Sequence, residues 1–169
     1  MIEMCVEGIA IDQQNKTLVL LRDLERTLYL PIWIGPAEAM SIQMELENRQ
    51  PPRPMTHDLM SNILRELGVG VAHVTVNDYR DTVYYATLTL LTKGGEQDVD
   101  ARPSDAIALA LRSKATIYVD ERVAQEAAIP MSDAQELESS GAPTSKDDIE
   151  RFMRLIDGVD LSGSSVGKE

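Results

Sequence analysis

The sequence predicts an α+β fold, a largely antiparallel mixed sheet with helices packed on it and a short acidic helical C-terminal tail. Three observations carry this expectation. Strand-like runs with alternating or β-branched residues fall in two groups, near residues 2–34 and 69–99. Within each group the connections are short and turn-like, which favours antiparallel neighbours. Strands and helices do not alternate in the regular βαβ order that a parallel sheet needs. The 169 residues suffice for one domain with a real core plus an appendage.

Taken in order, Ile2, Met4 and Val6 alternate with Glu3, Cys5 and Glu7, the period of a half-buried strand. Asp12 to Lys16 is turn-like, and Thr17 to Leu21 is a second strand. Asp23 to Arg26 turns again, and Leu28, Leu30, Ile32 and Ile34 share one face of a third. Gly35-Pro36 opens a helix, since proline is tolerated at the first helical position. Its apolar face, with Met40, Met44, Ile42 and Leu46, is wide, and it runs out near Arg49. Thr56 is a good cap for a second helix whose Leu59, Ile63, Leu64 and Leu67 are expected to face the core; Gly68 ends it. A hairpin of Val69 to Val76 and Thr82 to Leu91 is joined across Asn77 to Asp81, and a further strand follows through Val99. Pro103 opens a third helix, Ser104 to Arg112, with Ile107 and Leu111 stacked. Thr116 to Val119 is a last strand and Glu121 to Ala127 a short helix.

Beyond Pro130 the character changes, and the domain is expected to span 1–130 and the tail 131–169. Ser132 and Ser145 are placed to open short helices, the second with a stripe of Ile149, Phe152, Met153 and Ile156 that packs on the domain or on a protein partner. Leu161 to Glu169 is Gly/Ser-rich and expected to be disordered.

Charge narrows the functional classes. Sixteen basic against 28 acidic residues leave −12. Residues 1–130 hold 12 basic and 19 acidic groups, net −7, and the tail holds net −5. A broad cationic surface for nucleic acid is therefore absent, and any polyanion must meet a local basic cluster or a bound metal. The single cysteine, Cys5, has no cysteine to pair with in the chain and reads as a small buried residue on a strand. The N-terminal segment has no signal-peptide pattern and no run is long enough to span a bilayer, so a cytoplasmic protein without membrane contact is expected.

Two polar clusters interrupt this apolar pattern. Arg53-Pro54-Met55-Thr56-His57-Asp58 is a rigid loop running into a helix start; Asp100-Ala101-Arg102-Pro103-Ser104-Asp105 is a strand end running into another. Helix N-termini favour anions, and arginine offers a planar fork to phosphate oxygens. Each residue also has a structural account. Thr56 caps, Asp58 and Asp105 complement the helix dipole, as does Glu38 in the first helix, and Arg102 with Asp100 makes an ion pair. His57 lies at a polar junction and is suited to general-base work or metal binding; His73 lies within a strand and reads as a sheet-face residue. No Walker, His-Glu-x-x-His, Gly-x-Ser-x-Gly or paired-cysteine motif is present.

Pro31-Ile32-Trp33-Ile34-Gly35-Pro36-Ala37-Glu38-Ala39, Arg53-Pro54-Met55-Thr56-His57-Asp58-Leu59 and Asp100-Ala101-Arg102-Pro103-Ser104-Asp105-Ala106-Ile107 together resemble the bifunctional nuclease domain family. Three blocks in matching order, over roughly residues 1–130, are far more specific than one motif. Met55 stands where leucine is expected, a conservative change. The resemblance implies an α+β domain that forms homo-oligomers and a nuclease acting on DNA and RNA. It supplies no catalytic assignment and no role for the tail.

From the residues themselves, phosphodiester hydrolysis takes this form. Asp58, Asp100 and Asp105, with Glu38, hold a divalent cation, magnesium or manganese because the ligands are oxygens. Arg53, Arg102 and Ser104 bind substrate phosphate. His57 activates or orients water, with Asp58 and Asp105 beside it in the catalytic set. The rival is a non-enzymatic oligomeric module in which these blocks are structural junctions; a small-anion or nucleotide sensor using the same arginines is a third reading. Side chains converging in an open cleft favour the enzyme, and buried, mutually satisfied ones favour the module.

Overall fold

The computed structural model describes residues 1–12 and 14–130. Expectations for residues 131–169 lie outside the described residues. The chain builds an eight-stranded mixed sheet and four helices among these residues. In chain order they are β1 (Ile2–Ile11), β2 (Thr17–Asp23), β3 (Leu28–Trp33), α1 (Pro36–Leu46), α2 (Thr56–Glu66), β4 (Gly70–Arg80), β5 (Val83–Thr92), β6 (Gly95–Ala101), α3 (Pro103–Ser113), β7 (Thr116–Val119), α4 (Glu121–Ala127) and β8 (Ile129–Pro130).

The sheet order is β6-β5-β4-β7-β1-β2-β3-β8. Two antiparallel meanders, β1–β3 and β4–β6, are joined through β7, which runs antiparallel to β1 and parallel to β4. The expected α+β class and largely antiparallel sheet are both present. Alternation along β2 splits its residues between two clusters: Val19 and Leu21 join the main core under the helices, while Leu18 and Leu20 pack with Ala10 and Tyr29. A bulge between Val6 and Gly8 lets β1 serve both clusters, with Met4 in one and Ala10 in the other.

α3 is the central helix. Pro103 fixes its start, and seven of its residues are buried, Ile107 and Leu109 among them, against α1, α2 and the sheet. It ends at Lys114, which takes a left-handed conformation at φ 54°. His73 lies on β4 as expected, with its ring edge-on to Tyr118 of β7 at 5.7 Å. Cys5 is half-buried on β1, and burial pushes its thiol pKa up.

Four expectations are corrected. The hairpin turn is Asp81-Thr82 alone, both at positive φ (51° and 64°), and Asn77 to Arg80 belong to β4. A two-residue turn of this hand matches the twist of the flanking strands, so Asp78, Tyr79 and Arg80 stay paired with β5, while Asn77 is the extra residue of a bulge. α1 stops at Leu46, and Met40 on it is exposed, because Ala39, Ser41 and Ile42 form its buried side. Thr56 does not cap α2. Met55 is the N-cap and the Asp58 carboxylate accepts a 2.8 Å bond from its N–H, the acidic half of a capping box.

The fourth concerns α2's apolar stripe. Leu59 is 54% and Ile63 48% exposed, Leu67 is exposed too, and Leu64 is only half-buried. The residue of α2 that is buried is His57.

Candidate polar junction between three helices

The two loop–helix clusters meet where α1, α2 and α3 pack together. His57, in the first turn of α2, is buried and bridges the other two helices. Its Nδ1 lies 2.9 Å from the Ser41 hydroxyl of α1, and its Nε2 lies 3.0 Å from Asp105 Oδ1 of α3. A neutral imidazole with the proton on Nε2 satisfies both contacts, donating to Asp105 and accepting from Ser41. Serine, histidine and aspartate in a row have the composition of a hydrolase triad. Yet Ser41 is only 3% exposed and lies on the buried side of α1, so its hydroxyl cannot meet a substrate in this arrangement. The row is a helix-to-helix tie.

On the far side of Asp105 lies Arg102, the N-cap residue of α3. Its Nε donates to Asp105 Oδ2 at 2.7 Å, and its Nη2 donates to Asp105 Oδ1 at 3.1 Å and Glu38 Oε1 at 2.9 Å. One edge of the guanidinium is thus held by two carboxylates, and Nη1 takes part in none of these bonds. Glu38 reaches Arg102 because Gly35 has no side chain: a Cβ there would fall on the Glu38 carboxylate. Burial works to raise the Asp105 pKa, but its bonds from Arg102 and His57 outweigh this and hold it below the usual carboxylate value. The bond to Asp105, with Glu38 assisting, raises the Arg102 pKa in return.

Asp58 belongs to a second pair. Arg112, buried near the end of α3, donates from Nε to Asp58 Oδ1 at 2.7 Å, and from its other nitrogens to the Ala108 and Ser41 carbonyls at 3.0 and 3.3 Å. Burial again opposes ionisation of Asp58, and the Met55 N–H and Arg112 overcome it, so its pKa is lowered.

The structure therefore brings together Glu38, His57, Asp58, Arg102 and Asp105 of the expected set. It leaves three apart from this network, one of them Ser104, which makes none of these bonds. Arg53 is exposed in the loop before α2, and Asp100 is exposed on β6 opposite Thr87, with no bond to Arg102. The expected Arg102–Asp100 pair is replaced by Arg102 with Asp105 and Glu38. The strand-to-helix turn at Arg102 explains this: it puts Asp105 on the first turn beside its own N-cap residue, three positions on, while Asp100 stays in the strand. Sequence reasoning passed over Ser41 and Arg112. Asp105 and Arg112 stand seven residues apart on α3, so both fall on one helix face, a spacing that points to Arg112.

A divalent cation needs several oxygens free to turn toward one point. Here Glu38, Asp58 and Asp105 accept from guanidinium, imidazole or backbone N–H groups, and Asp58 pairs with a different arginine from the other two. Among the described residues no group of three or more His, Cys, Asp or Glu side chains is placed to hold a metal ion. In this arrangement the donor set does not fit one.

Beside Arg102 the surface opens into a cleft of about 310 Å³ between the end of β3, the β4–β5 turn and the start of α3. Trp33, Tyr84, Val83 and Ser104 line it with Arg102. The Arg102 side chain is 67% exposed. This is the open face of an otherwise buried polar junction.

Comparison with known proteins agrees with the resemblance read from the three blocks. The family model described as the bifunctional nuclease domain matches residues 19–132. An uncharacterized protein of Mycobacterium tuberculosis (strain ATCC 25618 / H37Rv) is 38% identical over 158 residues, which cover 93% of this chain and 94% of that protein. Bifunctional nuclease 1 of Oryza sativa subsp. japonica is 29% identical over 65% of this chain and 34% of its own length. Bifunctional nuclease 2 of Arabidopsis thaliana is 28% identical over 73% of this chain and 38% of its own length.

Proposed function

Because the chain belongs to the bifunctional nuclease domain family, we propose that it is a nuclease hydrolysing phosphodiester bonds of DNA and RNA, with Arg102 as the residue that meets the phosphate. One observation supports this above the rest. Arg102 is anchored along one edge by Asp105 and Glu38 while the remainder of its guanidinium stands at the mouth of a cleft. A guanidinium held this way offers N–H donors to phosphate oxygens without first having to be ordered, and it stabilises the charge that builds as the phosphorus is attacked. His57 and Asp105 act behind it as positioning residues, fixing the angle at which Arg102 leaves α3. Arg53, exposed in the loop before α2, is the second arginine we assign to substrate phosphate. No step of this proposal passes through a metal ion, and the assay measures magnesium and manganese dependence directly.

The test uses the full chain, stripped of metal and then supplied with magnesium or manganese, on single-stranded DNA and RNA. Arg102→Ala is expected to lower kcat/KM by about 100-fold, the scale of removing one donor to a developing oxyanion. His57→Ala is expected to lower activity less, and with a loss of thermal stability. Equal cleavage by Arg102→Ala and the parent chain would sink the proposal, since the activity would then come from another site or a contaminant.

A second reading, a non-enzymatic oligomeric module, is favoured by the burial and mutual satisfaction of His57, Asp58 and Arg112. Self-association without cleavage under every metal condition would select it.

A further inference from the structure

We propose that the apolar stripe of the C-terminal segment, Ile149, Phe152, Met153 and Ile156, seats on the face of the β1–β3 meander turned away from the helices. The proposal stands apart from the nuclease reading. The helices cover one face of this meander: Ile42 of α1, Ile107 and Leu109 of α3 and Val123 of α4 all join Val19, Leu21, Leu30 and Ile32 in the main core. Residues one step along each strand point the other way. There Leu18, Leu20 and Tyr29 gather with Ala10, and Ile129 packs against them. Leu18 is paired with Ala10 on one side and Trp33 on the other, and Leu20 with Gly8 and Pro31. The Trp33 indole lies on this same face, its Nε1 donating to Asp12 Oδ2 at 2.9 Å.

On a sheet face open to water, side chains stand off the sheet and keep their outer ends wet. Leu18 and Leu20 are instead 0% exposed and Tyr29 only 2%. Neighbours within a sheet close the flanks of such side chains; closing their outer ends takes a second layer. No residue of the four described helices is among those packed in this cluster.

The chain itself is placed to supply that layer. β8 pairs with β3 at the sheet edge, Ile129 opposite Tyr29 and Pro130 opposite Leu28, so the segment beyond 130 departs from the rim of the cluster. Residues 131–148 can reach about 60 Å when extended, far more than the distance to be crossed. Ile149, Phe152, Met153 and Ile156 have the i, i+3, i+4, i+7 spacing of one helix face. From first to last they span about 10 Å of helix axis, and three adjacent strands are about 10 Å across. The stripe of α2 is the other apolar face on offer, but its Leu59 and Ile63 stand exposed where Leu18 and Leu20 do not.

Trp33 is the one tryptophan of the chain, so its emission reports on this face. In the full chain, Phe152→Glu is expected to shift that emission to the red and to speed amide exchange in β2 and β3 about ten-fold, with α3 unchanged. Ile149→Glu is expected to do the same, whereas Ser164→Glu, an equal charge placed off the stripe, leaves both readouts at the parent's values. Phe152→Glu and Ile149→Glu proteins that match the parent, or that lose protection in α3 as much as in β2, overturn the proposal. So does faster exchange confined to α2, which would seat the stripe there. A red shift in the parent chain on dilution to monomer, followed by sedimentation, also overturns it, since a second copy would then be the cover.

Discussion

α2 and α3 are both eleven-residue helices, α2 starting just after an Arg-Pro step and α3 on the proline of one, and they are held in the molecule by different forces. α3 is fastened by apolar burial: Ala106, Ile107, Ala108, Leu109 and Ala110 are all within the core. α2 carries the more amphipathic sequence, yet Leu59, Met60, Ile63 and Leu67 all stay at the surface. What seats α2 is polar, His57 between Ser41 and Asp105, and Asp58 against Arg112. A full Leu or Ile burial is worth about 1.5–3 kcal/mol, and α2 forgoes most of that. The comparison teaches that the residues at the candidate site also hold a helix. Changes to His57 or Asp58 therefore mix stability with activity, while Arg102, exposed at the same junction, separates them.

The contrast can be broken at four points. Removing apolar volume from α3 should cost most: Ile107→Ala is expected to lose about 4 kcal/mol, measured by urea denaturation, because the site is fully enclosed. Arg112→Ala should follow at about 3 kcal/mol, since it leaves Asp58 facing α3 with no cation beside it. Exchange protection should then fall in α2 before it falls in α3.

Acid should produce a smaller and reversible version of the same loss. Asp58 and Asp105 both have folded pKa values lowered below 3.8. A carboxylate with a lowered folded pKa binds its proton more readily when unfolded, so its contribution is whole above the unfolded value and fades as pH drops through the folded one. The urea midpoint should therefore hold steady down to about pH 4 and fall below it, and Asp58→Asn should flatten part of that fall. Least of all should follow from the exposed stripe. Leu59→Gln and Ile63→Gln are expected to shift stability by no more than about 0.5 kcal/mol. A loss comparable to Ile107→Ala would show that the face is covered in the working protein.

Much of this was legible beforehand. The two meanders, the helix starts at Pro36 and Pro103, and the α2 end at Gly68 were readable because proline, glycine and period-2 alternation act through local sterics. The polar clusters were readable because charged residues around helix starts interrupt an apolar pattern. Their wiring was not. Asp100 and Asp105 flank Arg102 almost equally in the chain, and only the change from strand to helix makes one its partner. Ser41 gave no sign, since a serine on a helix reads as surface until the helix is placed. Nor did the amphipathic pattern of α2 give its orientation.

By itself, then, the sequence determined the class of the fold, its main turns and caps, and the absence of a cationic groove. Those follow from interactions a few residues long and from a sum of charges. The tertiary structure decided which carboxylate Arg102 holds, that His57 is buried as a tie between helices, and that Tyr84, Ser104 and Arg102 share one cleft. These depend on groups up to 71 positions apart, Ser41 and Arg112 among them. A local pattern can show that a helix has an apolar face or a polar turn, but what lies opposite it is set by packing of the whole chain.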